Sequence, residues 1–226
     1  MRQIVLDTET TGLDPKLGHR VIELAAVEMQ NRRLTGNRFH RYLNPEREID
    51  EKAQEIHGLS REFLEDKPKF RDIAGEFLDF VEGSELIIHN APFDLSFLDA
   101  ELGLLDFPGM TAYCGYIDTL VMAKELHPGK RNNLDALCER YAINNAKRTL
   151  HGALLDAELL AEVYLAMTRG QESLVMELEG MAQEDIGAFD RRLVVHRADA
   201  DELEAHAAQL EEIDKASKGS CLWKLT

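Results

Sequence analysis

The chain has few cysteines, few aromatic residues and no long apolar run. Its 226 residues include three cysteines, Cys114, Cys138 and Cys221, and aromatic residues make up 7%. An odd number of cysteines without metal-ligand spacing suggests reduced thiols in a cytoplasmic protein. No segment approaches the roughly 18 to 20 apolar residues that a membrane span needs. The first residues, MRQIVLDTET, contain too short an apolar core for a signal peptide.

Positive charge is also scarce. The chain carries 26 Lys and Arg against 42 Asp and Glu, a net charge of −16. This balance argues against nonspecific electrostatic binding of nucleic acid, because such binding relies on Lys and Arg to neutralise phosphates. It does not exclude a nucleic-acid enzyme in which bound divalent cations supply the positive charge at the reacting phosphate.

The order of apolar patterns predicts one α/β domain. Three early segments have strand character and together indicate an antiparallel meander: 3–10, 21–29 and 38–43, with the last turn at 35–37. Helical and short strand patterns then alternate: helices 51–57, 60–64 and 70–81, strand 85–89, a helix from 90 to 102, a strand near 113–117, and helices 119–126, 133–141 and 151–167. This order predicts a three-layer α/β fold with a mixed central sheet and helices on both faces.

The dense pattern stops near residue 168. The pieces beyond it, including a predicted helix at about 201–215, are too small to bury a core of their own. We therefore predict an enzymatic domain at 1–168 and a flexible tether with partner-binding segments at 169–226.

The segment HGALLDAELLAEVYLAM, residues 151–167, carries an acid where an amphipathic helix should carry an apolar residue. Asp156 shares one helical stripe with four apolar residues: Leu159, Leu160, Val163 and Met167. A carboxylate on the buried face must be protonated, paired or metal-bound. His151 lies about 140° around a regular helix from Asp156, so both can serve one site only if His151 precedes the first turn. The alternative is that His151 merely lies near a helix start and that Asp156 is wrongly assigned to the buried face of the helix.

Three more acids follow apolar segments. Asp7 and Glu9 leave the same face of a strand roughly 6 to 7 Å apart, although a solvated strand end is the commoner meaning of such a pair. Asp94 begins a helix after the strand at 85–89, where it could simply stabilise the helix N-terminus.

If the elements pack as predicted, Asp7, Glu9, Asp94 and Asp156 converge. Like charges at about 4 Å cost on the order of 4 kcal/mol per pair at an effective dielectric near 20, so the cluster needs cations. Hard oxygen ligands suit Mg²⁺ or Mn²⁺ rather than zinc, and two such ions can activate a water toward a phosphorus. His151 is the group suited to accept the proton of that water near neutral pH.

Together, the three motifs DTETTG (7–12), HNAPFD (89–94) and HGALLD (151–156) resemble the exonuclease motifs of the DEDDh superfamily in order and separation. The segments RQIVLDTETTGL, NRRLTGN, PGKRNNLDALC, KRTLHGALLDAELLAEVYLAMT and GSCLW extend the likeness, which is greatest to proofreading subunits of bacterial replicative DNA polymerases. The resemblance implies an RNase H-like fold, two metal ions and removal of nucleotides from a DNA 3′ end. The polarity and the DNA substrate rest on this likeness alone.

The same likeness implies a substrate-binding set around the terminal nucleotide: Thr10, Leu13, Ile56, His57 and Phe93. Core roles for Ile56 and Phe93, and a turn role for Thr10, are the alternatives. Asp118, which follows an apolar stretch, is assigned to helix capping rather than to support of the site.

Partner contacts are implied for the tail. Gln171, Leu174 and Met176 resemble a sliding-clamp peptide, although Met176 replaces an aromatic residue. The apolar segments 193–196 and 221–223 would bind the polymerase's catalytic alpha subunit. A small accessory subunit could bind the exonuclease domain. A loosely ordered tail is the alternative.

Two other functions remain open at this stage. An exoribonuclease of the same superfamily would share every catalytic residue but would not need clamp-like and polymerase-binding segments. A catalytically silent adaptor between clamp and polymerase would not need the complete set of four acids and His151.

Overall fold

A computed structural model describes residues 2–146, 148, 150–169, 198–217 and 223. Contacts within the chain divide it into two units, Met1–Glu177 and Leu178–Thr226. The domain boundary expected after residue 168 remains a prediction, and the two units are described separately.

Five strands form the sheet of the first unit: β1 (Arg2–Thr10), β2 (Val21–Gln30), β3 (Arg33–Tyr42), β4 (Glu85–Ile88) and β5 (Gly115–Asp118). Their order in space is β3-β2-β1-β4-β5. The pairs β1–β2 and β2–β3 are antiparallel, whereas β1–β4 and β4–β5 are parallel. The predicted mixed sheet with an antiparallel meander first is therefore confirmed.

Strand β1 lies at the centre of the sheet and buries both faces. Ile4 and Leu6 belong to one apolar core, and Val5 belongs to the other. The first core includes side chains of helices α3 (Phe70–Val81) and α4 (Ala91–Gly103), and the second includes side chains of α6 (Leu134–Arg140) and α7 (Ala153–Met167). Because successive strand side chains alternate, Asp7 and Glu9 share the face of Val5 and are directed toward the α7 layer.

The hairpin between β2 and β3 differs from the prediction. The turn lies at Asn31 and Arg32, whose φ values of 50° and 61° allow a two-residue hairpin turn, and not at residues 35–37. Gly36, with φ of 88°, lies within β3, and the β2–β3 register shifts between Val27 and Met29. Asn-Arg is a weaker turn signal than Thr-Gly-Asn, so the sequence predicts the turn at Gly36, whereas this glycine lies at an irregularity within β3.

The helices agree closely with the sequence pattern. Three helices have the predicted bounds: α1 (Glu51–His57), α3 and α5 (Thr119–Leu126). Four others, α2 (Arg61–Leu64), α4, α6 and α7, differ from the prediction by one or two residues at one or both ends.

Cys114 and Cys138 are buried free thiols, and burial raises the pKa of each to about 11. None of the described helices is long and apolar enough to cross a membrane.

The second unit contains a helix at Ala200–Ala216, close to the predicted 201–215. Asp199 caps it, since its side chain accepts from the Glu202 backbone N–H at 2.9 Å while the Glu202 side chain accepts from the Asp199 N–H at 3.1 Å. None of the residues of this helix is buried.

Candidate active site

An acidic pocket lies where β1 ends. Asp7 and Glu9 reach it from β1, and a register shift between Glu9 and Thr10 marks the same position in the β1–β2 ladder. Such irregularities are common beside active sites because they redirect side chains. The full lining is Asp7, Thr8, Glu9, His89, Phe93, Asp94, Asn133, Leu134, Asp135, Arg148, His151 and Asp156.

Asp94 enters the pocket from the first turn of α4 and is buried. Its Oδ1 accepts from the Thr8 hydroxyl at 2.7 Å and from the Thr8 backbone N–H at 3.1 Å. These bonds fix the carboxylate against β1, next to Asp7. Helix N-terminal stabilisation alone would leave Asp94 on the surface, so the structure supports the inward orientation.

The fourth acid comes from α7. Asp156 is buried in the first turn, on the stripe that includes Leu159, Leu160 and Val163. Helix α7 begins at Ala153 with Gly152 as its N-cap, so His151 precedes the first turn, as the spacing required. A backbone bond from the His151 N–H to the Ile56 carbonyl, 3.1 Å, ties this loop to the end of α1.

The side chains of one histidine and two acids lie close together. Ligand atoms of Glu9, His151 and Asp156 all lie within 4.8 Å of one another, and His151 Nδ1 lies 3.4 Å from Asp156 Oδ2. All four predicted acids and His151 line the same pocket.

The pKa is raised for three of the four acids and lowered for the fourth, Asp156. Burial, followed by the neighbouring carboxylates, raises the pKa of Asp7 well above its usual value and that of Glu9 to about 8. Burial also raises the pKa of Asp94 to about 7, against the opposing effect of its Thr8 bonds. Negative charge is thus crowded at this position, and these carboxyls need either protons or cations.

Asp156 behaves differently because an arginine pairs with it. Burial favours its neutral form, but the hydrogen bonds and the positive charge of Arg148 outweigh burial and lower its pKa. Arg148 donates from Nε to Asp156 Oδ1 and from Nη2 to Asp156 Oδ2, both at 2.6 Å. Arg148 is not among the residues predicted from the sequence, where its one signal is its place in the segment KRTLHGALLD, three residues before His151.

The five residues expected around the terminal nucleotide lie in different surroundings. Phe93 lines the pocket. Leu13 and Ile56 are exposed, at 82% and 47% of their surface. Thr10 is buried and donates its hydroxyl to the Gly12 carbonyl at 2.6 Å, the turn role considered as its alternative.

His57 is buried at the end of α1, and its Nδ1 accepts from the Leu59 backbone N–H at 3.0 Å. Burial lowers its pKa. Among the described residues nothing hydrogen-bonds its Nε2. A buried polar atom without a partner is unusual and is a candidate ligand contact.

Asp118 caps α5, as expected. Its Oδ1 accepts from the Leu120 N–H at 2.8 Å and from the Asn90 N–H at 3.2 Å. The second bond also braces the residue that precedes α4, and so the helix that carries Asp94.

Gln171, Leu174, Met176 and residues 193–196 lie outside the described residues, as do 221 and 222. Trp223 is exposed.

The donor set fits hard divalent cations. Carboxylate oxygens from three separate segments face one pocket, and three of these carboxyls have raised pKa values. Such oxygens with room for water suit Mg²⁺ or Mn²⁺. Among the residues described, the possible metal-holding group of three is Glu9, His151 and Asp156.

Solved structures share the fold. Exonuclease X, solved in complex with 5′ overhanging duplex DNA, matches at a TM-score of 0.58 and 25% identity over 75% of this chain and 92% of its own. A structure of exonuclease I matches at a TM-score of 0.66 and 18% identity over 79% of this chain and 43% of its own. The fold is therefore the RNase H-like fold that these exonucleases share.

Sequence comparison narrows this class. The exonuclease family model RNase T matches residues 4–164. DNA polymerase III subunit epsilon of Salmonella typhimurium is 52% identical over 99% of this chain and 97% of its own length. The subunits of Escherichia coli K12 and Haemophilus influenzae are 51% and 48% identical, over 99% and 98% of this chain and 97% and 94% of their own lengths. The chain therefore belongs to the DNA polymerase III epsilon subunits of the RNase T exonuclease family.

Proposed function

We propose that the pocket hydrolyses the terminal phosphodiester at a DNA 3′ end with two divalent ions, Mg²⁺ or Mn²⁺, held by Asp7, Glu9, Asp94 and Asp156. The chain is a 3′–5′ proofreading exonuclease by its close relationship to the epsilon subunits. The observation that carries the metal assignment is the convergence of four carboxylates from three segments in one pocket.

Two bound divalent ions would lower the pKa of a water, orient it in line with the phosphorus and stabilise the leaving oxyanion. The protein's own part is to hold the carboxylates in place. Thr8 fixes Asp94 through two hydrogen bonds, and the β1 backbone sets the spacing of Asp7 and Glu9.

His151 acts in this proposal as the general base that removes the proton from the attacking water. Its side chain is 46% exposed, so the proton can pass on to solvent. Its loop is fixed at the backbone by the bond to Ile56, so the position of the imidazole beside the acids does not depend on a side-chain anchor.

The surroundings of the pocket suit a single terminal nucleotide. Its volume is about 300 Å³, at the lower end of the range of about 300–1,000 Å³ for small-molecule sites. Phe93 lines the pocket. Leu13 and Ile56 are not among its lining residues but offer exposed apolar surface, and His57 has a buried Nε2 with no hydrogen-bond partner among the described residues. We assign these four residues, with Thr10, to the substrate end, which is single-stranded or frayed.

The family also supports a set of partners. The proposed assembly is a cytoplasmic polymerase III complex in which the tail binds the alpha subunit, residues 171–176 bind the sliding clamp, and a small accessory subunit binds the exonuclease domain. The support is the near full-length similarity to epsilon subunits.

A direct test compares 5′-labelled single-stranded DNA and RNA of one sequence as substrates for the full chain in Mg²⁺ or Mn²⁺. We expect stepwise shortening of the DNA from its 3′ end, slower cleavage of the RNA and no cleavage in excess chelator. Faster RNA cleavage, together with no binding to the polymerase alpha subunit, would instead identify an exoribonuclease.

A further inference from the structure

Arg148 is the cation of the acidic pocket, and its side chain is only 6% exposed. Its guanidinium uses two N–H groups on Asp156, with Nε to Oδ1 and Nη2 to Oδ2 both at 2.6 Å. This bidentate arrangement is the strongest form of arginine–carboxylate pairing. It engages both oxygens of an acid that the proposed function assigns to metal binding.

The same guanidinium also reaches the proposed base. Nη2 of Arg148 lies 2.9 Å from His151 Nδ1. An arginine has only donors, so this contact engages the lone pair of a neutral imidazole. While it lasts, Nδ1 cannot accept a proton from water. One side chain thus restrains both a metal ligand and the base.

A second carboxylate offers Arg148 an alternative position. Nη1 of Arg148 lies 2.7 Å from Asp135 Oδ1, at the rim of the pocket on α6. The Asp135 side chain is 49% exposed, whereas that of Asp156 is 5% exposed. Asn145 also donates to Asp135 Oδ1, at 3.1 Å, and helps to fix this outer partner.

We propose that Arg148 is a positioning residue that competes with a divalent cation for Asp156. When a cation binds Asp156, Asp135 retains the guanidinium of Arg148. This inference rests on the proposed two-metal function. A cation and a guanidinium satisfy the same negative charge, and a cation that takes an Asp156 oxygen removes an N–H bond from it. Movement of Arg148 toward Asp135 would also release His151 Nδ1, so cation binding and exposure of the base are coupled.

The test is calorimetric titration of Mn²⁺ into the chelator-treated, dialysed full chain. We expect Arg148→Gln to tighten Mn²⁺ binding by about tenfold or more and to lower the melting temperature in chelator, because Asp156 loses its buried partner. Arg148→Lys retains the charge but cannot make the bidentate pair, so it should fall between. Arg38→Gln is the matched control: Arg38 is exposed and lies 3.8 Å from Glu158, and its loss should leave Mn²⁺ affinity unchanged.

Asp135→Asn separates competition from simple charge effects. Without its outer partner Arg148 should hold Asp156 more firmly, so Mn²⁺ binding should weaken by several-fold in the wild-type background. In the Arg148→Gln background the same change should have a much smaller effect, since no guanidinium remains to be retained. Equal effects in both backgrounds would overturn the proposal.

The results also distinguish a failure of the Arg148 proposal from a failure of the proposed metal function. If the wild-type chain binds no Mn²⁺, the proposed metal function fails and this inference fails with it. If the wild type binds Mn²⁺ but Arg148→Gln binds it equally or less tightly, the competition alone is refuted.

Discussion

Replacing Asp7 and Glu9 together with alanine is expected to reduce exonuclease turnover by roughly 10³-fold or more. Metal stabilisation of transition-state charge is worth several kcal/mol, and about 1.4 kcal/mol corresponds to a factor of ten. Both side chains come from one strand end and point into the same pocket, so their removal takes away one side of the proposed metal site. The measurement is single-turnover cleavage of a labelled DNA strand in saturating Mg²⁺.

The variant should still fold and still bind the polymerase alpha subunit, because the change relieves repulsion without touching either apolar core. Asp79→Ala with Glu82→Ala is the matched control: it removes two acids from exposed positions at the end of α3 and should retain full turnover. An Asp7/Glu9 variant as active as this control would favour a silent adaptor over a nuclease.

His151→Gln is expected to lower turnover near pH 7 by about 10²- to 10⁴-fold, the usual contribution of a general base. The backbone bond from residue 151 to Ile56 does not depend on the side chain, so the loop should keep its place. Mn²⁺ affinity should change far less than turnover, since in the proposed function the four carboxylates hold the ions.

Calorimetry and turnover of this variant must be measured on the same preparation. His206→Gln, an exposed change on the C-terminal helix, serves as the histidine control and should behave as wild type. Equal losses of Mn²⁺ affinity and turnover in His151→Gln would make His151 a metal ligand, a role compatible with its closeness to Glu9 and Asp156.

The fold and the meeting of the acids could be predicted because they depend on local periodicity. An acid within the apolar stripe of α7 and two acids at the end of a buried strand are anomalies that the sequence itself displays. The order of strands and helices then brings those anomalies to one edge of the sheet. His151 followed from helix geometry, since only a position before the first turn could bring it to Asp156.

Arg148 could not be found in this way. It lies in an irregular segment between α6 and α7, where no period assigns a side chain to a face, and its pairing with Asp156 depends on how two helices pack. The prediction of the β2–β3 turn was wrong for a related reason. Both Thr-Gly-Asn and Asn-Arg can form turns, and the pairing of the two strands decides which of them does.

The central claim is that crowded carboxyls at the end of β1 require protons or divalent cations. Raised native pKa values mean that the folded chain holds protons that the unfolded chain has already released, so folding stability falls as pH rises between the two values. For Glu9 and Asp94 the native values are about 8 and about 7, against unfolded values of about 4.3 and 3.9. The expected loss of stability therefore spans about pH 4 to 8.

Thermal unfolding of the wild-type chain and of Glu9→Gln, in chelator and in saturating Mg²⁺ or Mn²⁺, tests this claim most directly. A neutral glutamine binds no linked proton, so in chelator the wild-type melting temperature should fall more steeply from pH 5 to pH 8 than that of the variant. Metal should raise the wild-type melting temperature most at pH 8 by relieving carboxylate repulsion. Equal pH slopes for the two chains, with no effect of metal at pH 8, would contradict the account.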